Sequence, residues 1–276
     1  MNQTAGVFAS FKEMEHEGWQ QRAPHYHDRL GKLTGAATGS MLDAINAQPG
    51  MRLLDICCGT GRASAEAAAR GLSVVGIDFA PAMVAEAQKL FPAVDFRVGD
   101  AEALDFADGS FDAAICGFGL LHLPEPEQGI AEAFRVLKPG GGYAFSTWCT
   151  PDRAKLLRLF LDAVAAHADM TVPLPPAPSF FQFSDAAFSI AALKRAGFRH
   201  AATSEIPLEY EGQSLDDFLD WFEKSTVRMS ALYRLQSPEV QRRIRDAIAE
   251  GAEPYMAGGH IRIPFSAIMF AARKPE

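Results

Sequence analysis

Residues Leu53 to Gly61 read Leu-Leu-Asp-Ile-Cys-Cys-Gly-Thr-Gly, an apolar strand that breaks into a tight glycine turn with Asp55 where the strand ends. Arg62 to Arg70 is then an alanine-rich helix stopped by Gly71, and Leu72 to Ile77 is a second apolar strand that ends in an acid, Asp78. Together these make a βαβ unit with a glycine turn, an arrangement that presents backbone to a nucleoside-type ligand at the turn.

The same rhythm continues along the chain. Strands are expected at 51–56, 72–77, 94–98, 111–116 and 143–148, with helices over 62–70, from Pro81, and over the stretch carrying Ile130, Ala133, Phe134 and Leu137 on one face, ended by Pro139-Gly140-Gly141-Gly142. Alternation of this kind builds a parallel sheet covered by helices on both faces, with right-handed crossovers. A helical lead-in, residues 1–50, precedes this 51–150 core, and its helix from Ser40 to Ala47 stops at Pro49-Gly50.

Beyond Trp148 the pattern loosens. Residues 151–183 hold an amphipathic helix around 154–167, a proline-rich run and the aromatics Phe180, Phe181 and Phe183. A core helix from Asp185, capped by Ser184 and closed by Gly197, and a strand over 201–210 make a segment 184–211. In residues 212–259, Leu215, Phe218, Leu219 and Phe222 follow the cap Ser214 at helical spacing, and Ser237-Pro238 opens another helix. Residues 260–276 hold a last core strand over 261–272. Both insertions, 151–183 and 212–259, follow strands of a sheet whose ligand edge is the carboxyl edge, so both are expected to form a lid over the glycine turn.

Charge and cysteine usage exclude several classes. A formal net charge of −8 with no Lys/Arg cluster leaves no footprint for a phosphate backbone, so nucleic acid is not an expected partner. Met1 to Gly18 lack a basic stretch followed by an apolar run, and the apolar run Ala113 to Leu121 is too short to span a bilayer, which predicts a cytoplasmic protein without a membrane partner. The four cysteines have neither metal spacing nor a disulfide framework, and Cys57 and Cys58 read as buried thiols beneath the turn. No metal is expected.

A glycine turn with a downstream acid also occurs in nicotinamide and flavin folds. Here Ser64 stands where the third glycine of a dinucleotide turn would be, and Asp55, just before the turn, suits a cationic ligand end better than a pyrophosphate. The segments Leu-Leu-Asp-Ile-Cys-Cys-Gly-Thr-Gly, Val-Val-Gly-Ile-Asp-Phe-Ala-Pro-Ala-Met, Gly-Asp-Ala-Glu-Ala-Leu-Asp-Phe and Arg-Val-Leu-Lys-Pro-Gly-Gly follow one another in order. With them, residues 51–148 resemble the class I S-adenosylmethionine-dependent methyltransferases, with the flavour of the ubiquinone/menaquinone-type small-molecule enzymes.

The resemblance implies a Rossmann-like, doubly wound, seven-stranded and mostly parallel sheet with an antiparallel last strand. It also implies S-adenosylmethionine as cofactor and S-adenosylhomocysteine as product. Asp55 would stand near the methionine ammonium, with Cys57, Gly59, Thr60 and Gly61 in the turn around the cofactor, the backbone at Gly59 to Gly61 approaching the methionyl and ribose portions where a Cβ on glycine would collide. Asp78 would accept the ribose hydroxyls, Phe79 and Met83 would flank the adenine, and Asp100 with Ala101 would read its edge. Gly117 and Phe118 would line the methionine side, and Tyr26 would close over it.

Displacement at a sulfonium needs alignment and exclusion of water more than acid–base machinery. Where the acceptor carries a proton, His122, after the fourth strand, is the candidate base. Trp19, Trp148, Phe181, Trp221, His260 and Arg262 are the candidate walls of a pocket for a small, apolar or aromatic acceptor. Tyr26-His27-Asp28-Arg29 and the strand Gly142 to Trp148 depart from the quinone-type enzymes, which puts a quinone precursor in doubt. Two alternatives stand beside this reading: a cofactor-binding interaction module without catalysis, and a nicotinamide-dependent oxidoreductase. A monomer or homodimer is expected.

Overall fold

The structure, a computed structural model, describes residues 8–276; residues 1–7 of the lead-in lie outside the described residues. The lead-in forms three helices, α1 (Ala9–Tyr26), α2 (Leu30–Gly35) and α3 (Thr38–Ala44). The alternating core follows as β1 (Arg52–Ile56), α4 (Arg62–Ala69), β2 (Ser73–Asp78), α5 (Pro81–Leu90), β3 (Asp95–Val98), β4 (Phe111–Gly117), α6 (Pro126–Val136) and β5 (Leu137–Trp148). The remainder comprises α7 (Lys155–His167), α8 (Ala186–Arg195), β6 (Arg199–Ile206), β7 (Glu209–Gly212), α9 (Leu215–Ser225), α10 (Arg228–Arg234), α11 (Pro238–Ala252), β8 (Met256–Ala257), β9 (His260–Pro264) and β10 (Ala267–Arg273).

The main sheet has seven strands in the order β3-β2-β1-β4-β5-β10-β6, and β10 alone runs antiparallel to its neighbours. This is the expected Rossmann-like architecture. Period-two alternation divides its side chains between two cores. Leu53, Ala113, Ile115 and Ala144 face Met41, Leu42 and Ile45 of the α3 region and Ala67 of α4, whereas Leu54, Ile56, Ala114 and Phe145 face Ile130 and Ala133 of α6 and Leu193 of α8. At the C-terminus of α6, Lys274 Nζ donates to the carbonyls of Phe134 and Leu137, a cation closing helix carbonyls that have no intrahelical partner.

Four expectations differ in detail. Pro139 to Gly142 do not stand outside the sheet: β5 begins at Leu137, and a register shift against β4 absorbs the glycines. The cap of α8 is Asp185, whose carboxylate accepts from the Phe188 amide, while Ser184 Oγ donates to the Trp148 carbonyl. The strand expected over 201–210 divides at Pro207, which brings no amide to a ladder. The last core strand likewise divides at Phe265 and Ser266, so that in residues 260–276 only Ala267–Arg273 belongs to the main sheet.

The displaced halves, β7 and β9, join β8 in a separate antiparallel sheet. Ile261 and Ile263 of β9 are buried against α7, α9, α10 and α11, whose Phe160, Phe218, Phe222, Tyr233, Ile244 and Ile248 form a core of the insertions' own. Phe160 stacks on Phe222 at 4.0 Å between ring centroids. That core is continuous with Trp19 and Ala23 of α1 and with Trp148 at the end of β5, so the insertions and the lead-in close together over the carboxyl edge.

Candidate active site

The turn between β1 and α4 holds its shape through three residues at positive φ: Cys57 at 59°, Gly59 at 53° and Gly61 at 81°. Gly61 has a packing reason as well, since a Cβ there would come within 2.5 Å of Phe96 in the core beneath; it faces that core and does not line the cavity. A Cβ at Gly59 would come within 3.2 Å of the Tyr26 ring, which lies across the turn.

A cavity opens at the carboxyl edge above this turn, with about 760 Å³ of empty space including its mouth. Cys57, Gly59, Asp78, Phe79, Met83, Asp100, Ala101, Gly117, Phe118 and His122 of the sheet edge line it, together with Lys12, Trp19 and Tyr26 of α1, Leu30 and Thr34 of α2, and Trp148. A smaller cavity of about 390 Å³ lies on the other side of Tyr26, between Asp55, Cys58, Thr60, Arg62, Thr34 and Met41. Asp55 and Thr60 therefore sit in a compartment of their own. The Tyr26 hydroxyl is 3.2 Å from Thr34 Oγ1, Thr60 Oγ1 is 3.1 Å from His27 Nδ1, and Arg62 Nη2 donates to the His27 carbonyl.

The acids are deeply placed. Asp78 accepts from the Gly59 and Ala80 amides, both at 2.9 Å, and burial pushes its carboxyl up to about 6. Asp55 is 1% exposed and accepts from Ser64 Oγ at 2.6 Å; burial, reinforced by Asp78, pushes its carboxyl up to about 7. Ser64, the residue in the third-glycine position, thus points inward at Asp55. Asp100 is already engaged: Lys12 Nζ of α1 donates to its Oδ2 at 2.6 Å and to Glu102 Oε2 at 2.7 Å. The free thiols of Cys57 and Cys116 share a hydrogen bond, and this contact with burial holds the Cys57 thiol well above the ordinary range, so it stays protonated and is no nucleophile.

His122 stands in a turn of 3-10 helix over Leu120–His122, its side chain 25% exposed toward the cavity. Its Nδ1 is 2.8 Å from Glu15 Oε2 of α1, and Trp19 meets the imidazole edge to face at 4.9 Å. Trp148 forms the far wall, between Phe118 at 4.2 Å and Phe265 at 3.8 Å.

Of the expected acceptor-pocket residues, Trp19 and Trp148 reach the cavity and four do not. Phe181 packs edge to face on Phe180 against the lid core. Trp221 is buried beside Tyr210, facing an outer cleft. His260 and Arg262 lie on the exposed face of β9, where Arg262 meets Glu211 at 3.3 Å, because the alternate residues Ile261 and Ile263 take the buried face. Lys12, Glu15, Leu30, Thr34 and Arg62 are in or beside the site although sequence reasoning passed them over. For Glu15 a signal existed: Phe11, Glu15, Gly18, Trp19 and Arg22 share one helical face, a stripe in which an acid and a base stand among apolar residues.

A glycine turn after the first strand, an acid at the tip of the second, and a seven-stranded sheet with one antiparallel strand define a Rossmann-like fold of the class I methyltransferase type. Residues 53–141 match the methyltransferase domain family. The chain carries a class I S-adenosylmethionine-dependent methyltransferase domain. It is 44% identical over 119 residues to demethylmenaquinone methyltransferase of Beutenbergia cavernae, a match covering 43% of this chain and 50% of that protein. To sterol 24-C-methyltransferase of Yarrowia lipolytica it is 28% identical over 258 residues, covering 83% of this chain and 66% of the relative. The fold is shared with phosphoethanolamine N-methyltransferase 2 of Haemonchus contortus, solved with phosphomonomethylethanolamine and S-adenosylhomocysteine, at a TM-score of 0.54 and 19% identity over 87% of this chain and 52% of that one. The chain spans about half the length of curated relatives such as the demethylmenaquinone enzymes. Among the described residues no helix is long and apolar enough to cross a membrane.

Proposed function

We propose that the chain transfers a methyl group from S-adenosylmethionine to a small, apolar or aromatic acceptor. The observation that carries this reading is the cavity itself, which joins the buried acid Asp78 at the sheet edge to an aromatic wall bearing one histidine.

The residues fit the cofactor. Asp78 keeps free lone pairs for two hydroxyl donors after accepting from the Gly59 and Ala80 amides. The compartment behind Tyr26 pairs the Asp55 carboxyl with Arg62 Nε, a buried donor without a partner, and so offers complementary groups to an ammonium and a carboxylate. Phe79 and Met83 would hold the adenine beside Asp100 and Ala101, where an exocyclic amine would share the Asp100 carboxylate with Lys12. Gly117 and Phe118, also in the cavity lining, would hold the sulfur end. When bound, the cofactor supplies an electrophilic methyl group on a sulfonium.

The chain's own residues then align and shield. Trp19, Tyr26, Phe118 and Trp148 give a planar apolar acceptor its contact surface and keep water from the line of attack. His122 takes the proton of a hydroxyl, amine or activated carbon as the new bond forms. Glycine at 117 and 119 keeps that edge open: a Cβ at Gly119 would fall within 2.6 Å of Cys57 Cβ.

Two measurements test the reading. Transfer of labelled methyl from S-adenosylmethionine to a panel of phenols, hydroquinones and isoprenoid acceptors is expected to yield product with at least one. Asp78→Ala is expected to weaken S-adenosylhomocysteine binding by about 10- to 100-fold, since a charged acceptor of two hydrogen bonds is lost. Calorimetric affinity unchanged in that variant removes Asp78 from the cofactor site. Stabilisation by NAD(H) without stabilisation by S-adenosylhomocysteine overturns the whole assignment.

A further inference from the structure

A glutamate with 2% of its surface exposed lies behind the cavity wall, against its lining residues Trp19 and His122, where an apolar residue would cost less. Glu15 Oε2 accepts from Trp19 Nε1 at 3.0 Å and lies 2.8 Å from His122 Nδ1. The indole nitrogen is a donor only, and a carboxylate is an acceptor only, so the proton of the second contact belongs to Nδ1. Two guanidinium groups compensate the buried negative charge through space, Arg22 of α1 and Arg228 of α10. The other ionisable groups around the imidazole are Asp78 at the tip of β2, with Lys12 and Asp100 on the same cavity.

A neutral imidazole with its proton on Nδ1 has its lone pair on Nε2, the nitrogen that Glu15 leaves free. Trp19 fixes the ring plane by meeting it edge to face at an interplanar angle of 86°.

We propose that Glu15 is the positioning residue of the site: it holds His122 in the Nδ1-protonated tautomer, with Nε2 as the base. The inference rests on the reading of His122 as the group that takes the acceptor's proton. In the step, the acceptor atom forms its bond to the methyl carbon as the sulfur–methyl bond breaks with its electron pair left on sulfur. The acceptor's proton passes to Nε2, and Glu15 offsets the imidazolium charge until the proton leaves to water. Because Glu15 belongs to α1 and His122 to the segment after β4, the base is complete only when α1 is docked on the sheet edge.

The test is the tautomer, read from the imidazole nitrogens of protein labelled with 15N-histidine near pH 8, the His122 signals being assigned by their loss in His122→Gln. The wild type is expected to show Nδ1 protonated and Nε2 free. Both contacts fall on Oε2, so in Glu15→Gln an amide oxygen in that place accepts from Trp19 and Nδ1 alike and the tautomer is expected to hold, whereas in Glu15→Leu no acceptor is left and the proton is expected to move toward Nε2, the tautomer that free imidazole favours. With a working acceptor, kcat of Glu15→Leu is expected to fall by about 10²- to 10⁴-fold, with KM and S-adenosylhomocysteine affinity within about twofold of wild type, and Glu15→Gln is expected to restore part of the loss. A wild-type spectrum with the proton on Nε2, or a Glu15→Leu enzyme within about twofold of wild-type kcat, overturns the proposal. The wild-type spectrum decides it without the variant and without an acceptor. A chain that methylates nothing would therefore refute the proposed function while the tautomer result still stands on its own.

Discussion

Asp55 and Asp78 are two buried carboxyl groups in the neighbouring compartments of the candidate site, and burial raises both, to about 7 and about 6. Folded-state values above the ordinary 3.8 mean that the native chain retains protons which the unfolded chain has released, so stability declines as pH rises from about 4 to about 7. A cationic ligand end favours the ionised form and reverses that cost. The affinity for S-adenosylhomocysteine is therefore expected to rise with pH between about 5 and about 8, by up to about tenfold per unit, and Asp55→Asn is expected to flatten the profile. Calorimetric titrations across that range check it, and a flat wild-type profile removes Asp55 from the ammonium end. The acids were legible in the sequence because the strand–turn–helix–strand unit places each at a strand tip. Lys12 and Glu15 were not: they meet Asp100 and His122 across 88 and 107 residues, and no local period reports such a contact.

At the scale of elements, α1 is the piece that both covers the site and ties it to the lid. Its Arg22, 4% exposed, donates to the carbonyls of Gly18 and Thr226 and to Ser230 Oγ, linking the lead-in to the α9–α10 junction and the start of α10. Arg22→Leu leaves those acceptors unmet in a buried place and is expected to cost about 1–3 kcal/mol, measured by urea unfolding. Elements whose period is carried by their own residues were read well: β1, β2, β4, the α6 face and the Ser214 cap of α9 all stand where expected. The strands over 201–210 and 261–272 were read as continuous because their apolar alternation runs on. Their breaks are set by partners elsewhere: the Phe265 amide donates to the Leu208 carbonyl and the Cys149 amide to the Ser266 carbonyl, which sends β7 and β9 into the smaller sheet. That turn away from the main sheet is also why His260 and Arg262 miss the cavity.

At the scale of the molecule, two hydrophobic cores flank the sheet and a third fills the lid, and the third supplies the cavity's aromatic wall. Phe222 is 2% exposed and stacks on Phe160, so Phe222→Ala is expected to cost about 3–5 kcal/mol. Thermal unfolding checks this as a fall in Tm, and S-adenosylhomocysteine is expected to recover part of it by binding only the closed form. The sheet order carries a further consequence, for how the chain is made. β10 lies between β5 and β6 and is preceded in the sequence by every other strand. During synthesis β6 has no neighbour to pair with until residues 267–273 leave the ribosome, while strands β1 to β5, with the glycine turn and Asp78, are already complete. A growing chain thus gains its glycine turn and strand-tip acids long before its sheet closes, and the sheet edge at β5 is an open ladder until β10 pairs with it.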